Sequence, residues 1–336
     1  MAITSTRIIE ITEEVIKLSF FSYFLGREEV DTKHAILAKF FPNESVIGSA
    51  ITGLSTSLGS FWEKIAVKLA IENNFTVLNP KKDFLQPNFI PSKIFTLISN
   101  NHQKRMAPNA NISFSEYRND LDTEIKKITL PNNIIFKTLE KGSGVDLLIQ
   151  KNNNLYAYDL KTVQINASAG ALYSERLMKW CAYDAIYQKV YNKKYKFHPH
   201  IVIPYDPHTH GNWWDNFQGR VYPLDKTDLK LCNDFWDFLT DTKNSFQFIE
   251  AAIDNLVKIG LPKIYHPSLY KADAIRSFEI LKNTCNIAPI DSNISPLTFV
   301  EKIEWKCLGC SFKFKQSIRW FEKHTNCPKC NGIFLK

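Results

Sequence analysis

No apolar run in the 336 residues is long enough to cross a bilayer. The best early stretch, residues 18–25, is short and carries Ser19 and Ser22. The opening M-A-I-T-S-T-R-I-I-E-I-T-E-E puts acids where a secretory signal would put bases and an apolar core. Internal repeats and low-complexity tracts are also missing, which excludes stacked-repeat and fibrous architectures. These absences predict a cytoplasmic protein with no membrane partner. What remains is ordinary: 44% apolar and 23% charged residues are the proportions of a soluble globular chain. The length allows one large domain, or a main domain with a small one, and enough chain to bury a core.

The net charge of +8 is a mild pointer to an anionic partner. Its distribution says more. Residues 301–336 hold eight Lys and Arg against three acids, so +5 of the total sits in the last segment. The seven cysteines fall into two sets. Cys181, Cys232 and Cys285 are scattered in apolar or mixed surroundings and read as inert buried thiols. Cys307-x2-Cys310 and Cys327-x2-Cys330 form two knuckles, which in a reducing compartment read as a zinc site rather than disulfides. Four thiolates around one Zn²⁺ make a closed structural centre, and the metal substitutes for a core that so small a segment lacks. With the ion in place the segment's charge falls to +3.

Along the chain, apolar spacing predicts helices over residues 4–17, 28–40 and 60–70, with a Ser/Thr/Gly-rich loop at 45–57. Residues 79–91 hold three prolines and read as a loop. Further helices are expected at 95–104, 113–127, 173–191, 229–239 and 246–259, and a buried strand at 197–205. Residues 206–219 form an aromatic, His-rich loop, and 286–296 look like a linker. Helix, hairpin, helix, strand predicts an α/β fold: a central mixed sheet flanked by helices, with a small four-cysteine zinc ribbon behind it. The expected division is 1–290 for the main domain, 291–300 for the linker and 301–336 for the ribbon.

The chemistry centres on residues 144–162, two β-rich runs joined by Lys151, Asn152, Asn153 and Asn154. Asp146 lies in the first run, Asp159 and Lys161 in the second. Alternation puts Asp159 and Lys161 on one face and Leu160 on the other. Charges in half-buried strands are costly unless paired or holding a metal. Two carboxylates on neighbouring strands suit Mg²⁺, and Lys161 could approach an attacking water and a scissile phosphate. The bland alternative is a charged ladder facing solvent. The hairpin partner Asp146, the Gly142-Ser143-Gly144 lead-in and the apolar flanks favour the metal site. Glu63 has two readings, the last residue of a Ser60-x-x-Glu63 capping box or a third acid brought beside the hairpin.

G-V-D-(x12)-D-L-K resembles the PD-(D/E)XK nuclease motif, with Val145 where the nominal Pro would stand. The longer run D-L-K-T-V-Q-I-N-A-S-A-G, the L-M-K-W helix, the I-V-I-P-Y strand, F-W-D-F-L and the upstream S-T-S-L-G-S-F-W-E-K-I-A resemble type II restriction endonucleases of the TdeIII type. The likeness covers about residues 50–260. It implies Mg²⁺-dependent hydrolysis of double-stranded DNA to 5′-phosphate ends. Asp146 and Asp159 would be ligands, with the Leu160 carbonyl as a third. Lys161 would activate water, and Glu63 would be the acid of the first core helix. It does not extend to the cysteines. Between them, F-K-F-K-Q-S-I-R-W-F-E-K-H alternates aromatic and basic residues, as a ribbon facing DNA would, or as one that only packs on its own protein. His324 alone does not make an HNH site. Gln164, Asn166, Ser168, His208 and His210 are candidates for DNA contact, as are Arg176 and Lys179 for phosphates. A homodimer would match a palindromic site. Two rivals are a structure-selective repair or junction nuclease and a non-catalytic zinc-ribbon DNA-binding protein.

Overall fold

Ile8, Ile11, Val15 and Ile16 recur at helical spacing and are all buried, on helix α1 (Ser5–Phe24). This computed structural model describes residues 2–24, 60–107, 113–131, 133–140, 142–161, 167–205, 223–259, 287–289, 303–307, 310–316 and 329–330. The expected helix at 28–40 and the loops at 45–57 and 206–219 lie outside them. Helix α2 (60–72) buries Trp62, Ile65, Ala66, Leu69 and Ala70 along one stripe. After β1 (Thr76–Leu78) comes a helical turn, α3 (Pro80–Asp83), started by the Asn79 side chain accepting from Lys81 N at 3.0 Å. Strand β2 (Leu85–Pro87) and helix α4 (Ser92–Met106) follow. Helix α5 (Phe114–Lys127) begins with a capping box between Ser113 and Glu116.

Next come β3 (Phe136–Thr138), β4 (Leu147–Lys151), β5 (Asn154–Leu160), helix α6 (Ala167–Tyr191) and β6 (Lys196–Ile203). Then come β7 (Leu229–Leu231), α7 (Asn233–Thr240), α8 (Phe246–Lys258), β8 (Ile287–Pro289), β9 (Ile303–Cys307) and β10 (Lys313–Gln316). The chain divides into two units, residues 1–5 with 62–246 and residues 6–61 with 247–336.

The first unit carries a five-stranded sheet in the order β1-β4-β5-β6-β7. β1, β4 and β5 pair antiparallel, while β5, β6 and β7 run parallel, so the sheet is mixed as expected. Antiparallel β4 and β5 need only a two-residue turn, which Asn152 permits at a left-handed φ of 54°. The parallel step from β5 to β6 requires a crossover, and α6 provides it. On one face Leu148, Leu155, Ala157 and Ile201 pack with Leu177, Trp180 and Cys181 of α6, Tyr117 and Leu121 of α5, and Ile94 and Ile98 of α4. On the other face Tyr156 stacks on His198 at 4.8 Å, and Tyr158 meets Phe235 of α7 edge-on at 5.3 Å. Trp62 of α2 lies 5.8 Å from Trp236 of α7. β2 and β3 form a separate antiparallel pair.

Within the second unit, Asn255 of α8 donates to Glu13 of α1 at 3.0 Å. β8, β9 and β10 form a three-stranded antiparallel sheet.

Several elements differ from expectation. Helix α6 starts at Ala167 rather than near 173, because A-S-A-G-A is rich in the best helix former. Residues 229–231 are a strand, since Leu229 and Leu231 complete the edge of the sheet beside Ile201 and Ile203 before the chain turns into α7. Residues 79–91 hold α3 and β2, the latter with its partner in β3. Residues 287–289, inside the expected linker, form β8. Cys181 is buried, its thiol pushed up to about 12 chiefly by that burial, and is inert as expected. Cys232 is only half-buried. Among the described residues no helix is long and apolar enough to cross a membrane.

Candidate active site

The β4–β5 hairpin brings Asp146 and Asp159 to one end of the sheet. Asp146 sits just before β4, fixed by its backbone N–H donating to Tyr158 O at 2.9 Å. Its carboxylate accepts from the Leu160 backbone N–H at 2.8 Å. That bond anchors one oxygen and leaves the other to face Asp159. Asp159 lies in the middle of the sheet, between β4 and β6, and is 1% exposed. Lys161 follows β5 and is tied to β6 by its N–H to Val202 O at 2.8 Å. Alternation holds: Lys161 Nζ forms an ion pair with Asp159 Oδ1, so both side chains project from the same face.

Asp159 has a second partner that sequence spacing did not reveal. Arg176 of α6 reaches Asp159 Oδ2 at 2.5 Å with one nitrogen and donates to Gly142 O at 2.7 Å with another. Gly142 takes a φ of 83°, which an L side chain would strain, and this turn presents its carbonyl to the guanidinium. The Trp180 indole N–H donates to Ser143 O at 3.1 Å, so two side chains one helical turn apart hold the lead-in to β4. Tyr173, one turn before Arg176, lies 5.1 Å from both Lys161 Nζ and the Arg176 guanidinium carbon. The available sequence signal was the i, i+3 spacing of Tyr173 and Arg176 on the helix that follows β5.

Glu63 comes from α2. Its carboxyl is pushed above the usual range by burial, and it lies within electrostatic reach of Asp159 and Lys161. Ser60 is the first residue of that helix rather than the one preceding it. Asp146 is raised to about 7, first by burial, then by the neighbouring Asp159 carboxylate, against the Leu160 N–H that opposes the rise. Three carboxylates thus converge with two cations, Lys161 and Arg176, while Lys64, exposed to water and screened by it, opposes the rise of Glu63. The partly and fully buried groups alone carry one surplus negative charge when all are ionised. Hard oxygen donors carrying surplus negative charge are the chemistry that Mg²⁺ takes.

Lys179 makes a surface pair with Glu175 at 2.8 Å. Ser168 lies in the first turn of α6, while Gln164, Asn166, His208 and His210 fall outside the described residues. A cavity of about 650 Å³ between α5, α6 and the start of β6 contains Arg118, Asp122, Asp184 and Lys189. It opens beside Lys196 and His198, at the far end of the strands from Leu160 and Val202, and holds none of the hairpin residues. Cys307, Cys310 and Cys330 bring their sulfurs within 4.8 Å of one another, and the Cys307 and Cys330 sulfurs are 3.9 Å apart. A tetrahedral ion with sulfur ligands at about 2.3 Å separates them by about 3.8 Å. Cys327 lies outside the described residues.

The mixed five-stranded sheet with its helical cover fits a restriction endonuclease fold, and comparison with known families gives the class: a type II restriction endonuclease. Residues 4–257 match the family "Type II restriction endonuclease, HinfI", and the chain belongs to that family. It is a site-specific deoxyribonuclease, and its substrate is double-stranded DNA. The match is to the HinfI family and not to the TdeIII type, and it ends before the cysteine segment. No curated protein and no solved structure matches the chain.

Proposed function

We propose that the protein cuts both strands of a specific DNA sequence in a Mg²⁺-dependent reaction that leaves 5′-phosphate ends, with its hydrolytic centre at the β4–β5 hairpin. The observation that carries this reading is the convergence of three carboxylates around Lys161 and Arg176, with Asp146 raised to about 7 by burial and by the Asp159 carboxylate beside it. Asp146 and Asp159 would hold the ion, joined by the Leu160 carbonyl. Bound there, Mg²⁺ would supply Lewis-acid polarisation of a phosphate oxygen and a more acidic water. The Leu160 N–H keeps Asp146 turned toward Asp159. Lys161, tethered to β6 and paired with Asp159, orients the attacking water and offsets the charge that grows on the phosphate. Glu63 completes the acidic wall from α2.

The site-specific class favours this reading over a structure-selective repair or junction nuclease, and over a non-catalytic DNA binder. Recognition would draw on Gln164, Asn166, Ser168, His208 and His210 as base or phosphate contacts, with Lys179 of α6 as a phosphate contact. A two-fold homodimer would present one centre to each strand of a palindrome. Behind the nuclease part, Cys307, Cys310, Cys327 and Cys330 would hold one structural Zn²⁺. The sulfur spacing supports this, and the basic ribbon would lie against DNA. Digesting mixed-sequence duplex with Mg²⁺ and sequencing the ends tests the assignment. Breaks at one sequence with 5′-phosphates are expected, whereas cleavage confined to branched DNA, or none, would refute it. Metal analysis after chelator washing should return one zinc per chain.

A further inference from the structure

Arg176 is the feature that the hydrolytic reading leaves unexplained. A site built to bind a divalent cation already contains two positive side chains on one buried carboxylate. Lys161 occupies Asp159 Oδ1 and Arg176 occupies Oδ2. Lys161 cannot move far, because its backbone is bonded to Val202 and its side chain is only two residues from Asp159. Arg176 reaches in from another element on a long side chain, and its second anchor is one backbone carbonyl in an exposed turn. It is the exchangeable cation of the pair.

Charge counting says when it matters. With the exposed Lys64 left to the solvent, Glu63, Asp146 and Asp159 ionised, with Lys161 and Arg176, leave the site at −1. A divalent ion alone would bring it to +1, inside a pocket where Asp159 is 1% exposed. Addition of a scissile phosphate returns the sum to zero. Without Arg176 the ion alone would neutralise the site, and DNA would add only the bond of its own phosphate oxygen to the ion. We infer that Arg176 couples metal loading to DNA, holding Asp159 in the free enzyme and admitting Mg²⁺ with full affinity only when a backbone phosphate arrives to pair with its guanidinium. Arg176 is thus a positioning residue for the metal site, and the inference rests on the hydrolytic reading of that site.

The test compares Mn²⁺ affinity of the free protein, by calorimetry, with the Mg²⁺ and Mn²⁺ concentrations that half-saturate plasmid cleavage. Wild type, Arg176→Gln and Arg176→Lys are measured in parallel, with Asp146→Asn to subtract binding elsewhere. A unit charge a few ångströms from a divalent ion weakens its binding about tenfold or more. Wild type should therefore bind Mn²⁺ about tenfold more weakly when free than during cleavage. Arg176→Gln should bind about tenfold more tightly when free, narrow that gap and cleave more slowly, and Arg176→Lys should stay near wild type. Equal affinities for free and DNA-bound wild type would overturn the coupling, and that comparison needs no variant to fold. Unchanged or weaker binding by folded Arg176→Gln would also overturn it, since a mere brace for the Gly142 turn predicts that result. If Asp146→Asn removes no Mn²⁺ binding from wild type, the hydrolytic reading itself fails, and the coupling with it.

Discussion

Two arginines in this protein reach from a helix to a buried aspartate, and only one of the two pairs is closed. Arg105 of α4 is 2% exposed and meets Asp228, which is 0% exposed, through both guanidinium nitrogens. It also donates to Pro223 O at 3.0 Å and lies 5.7 Å from the Phe114 ring. Asp228 accepts the Asp225 N–H at 2.8 Å as well. The nearby Asp225 carboxylate is 40% exposed, so water screens its charge. Arg176 also pairs with a buried aspartate, but Asp146 and Glu63 stand beside that pair out of full contact with water. A buried carboxylate that accepts three hydrogen bonds, two of them from one guanidinium, is a strut. A buried surplus of one sign is a place for something that the chain does not itself provide.

The largest stability effect should come from breaking the strut. Arg105→Ala leaves the buried Asp228, already raised to about 6 chiefly by burial, without its cation, and urea unfolding should show a loss of about 3–5 kcal/mol. Cleavage per folded molecule should be retained, because Arg105 takes no part in the hairpin cluster. A large fall in turnover at full folding would erase the distinction between the two arginines.

His200, half-buried with its Nδ1 shut off from water, sets a scale between these cases, because the fold keeps it uncharged. Burial first, then Lys230 and other nearby cations, lower it to about 3, and its Nδ1 has no hydrogen-bond partner among the described residues. The unfolded chain titrates near 6.5, so below that pH it binds a proton that the fold refuses. Stability from this source is present at pH 7 and is lost as the pH falls toward the folded value. Between pH 7 and 5 the loss is about 2 kcal/mol, and His200→Phe, which keeps a ring against Tyr158, should remove that part of the slope. An unchanged slope in the variant would show that His200 is not the source.

The smallest effect probes the open cluster directly. At a Mg²⁺ concentration ten times its dissociation constant, binding to the folded state alone adds about 1.4 kcal/mol. Wild type and Arg105→Ala should both gain that increment in thermal or urea unfolding, and Asp159→Asn should not. A gain in all three would put the ion somewhere else.

What sequence could supply here was local. Asp146, Asp159 and Lys161 were legible because strand alternation and hairpin pairing are short-range rules, and the structure puts all three on one face. The helix carrying Glu63 was legible from its apolar spacing, but its approach to Asp159 depends on packing between distant elements. Arg176 was visible only as a basic residue on a helix, since its bond to Asp159 spans a strand-to-helix turn and 17 positions. Arg105 and Asp228 are 123 positions apart, and no local pattern links them. Strand β7 was missed because three residues are too few for a period, and its neighbour in the sheet, not its own composition, makes it a strand. The family match then fixed the class that the hairpin had suggested, in the HinfI branch rather than the TdeIII one.

The most direct measurement is plasmid cleavage by Lys161→Ala in Mg²⁺, with DNA binding followed in parallel. Lys161 touches Asp159 and no other described acid, so its removal should leave the fold and the DNA-binding surface intact. The account predicts a loss of cleavage of about 10³-fold or more with binding retained. Cleavage at the wild-type rate would contradict it and move the hydrolytic centre away from the hairpin.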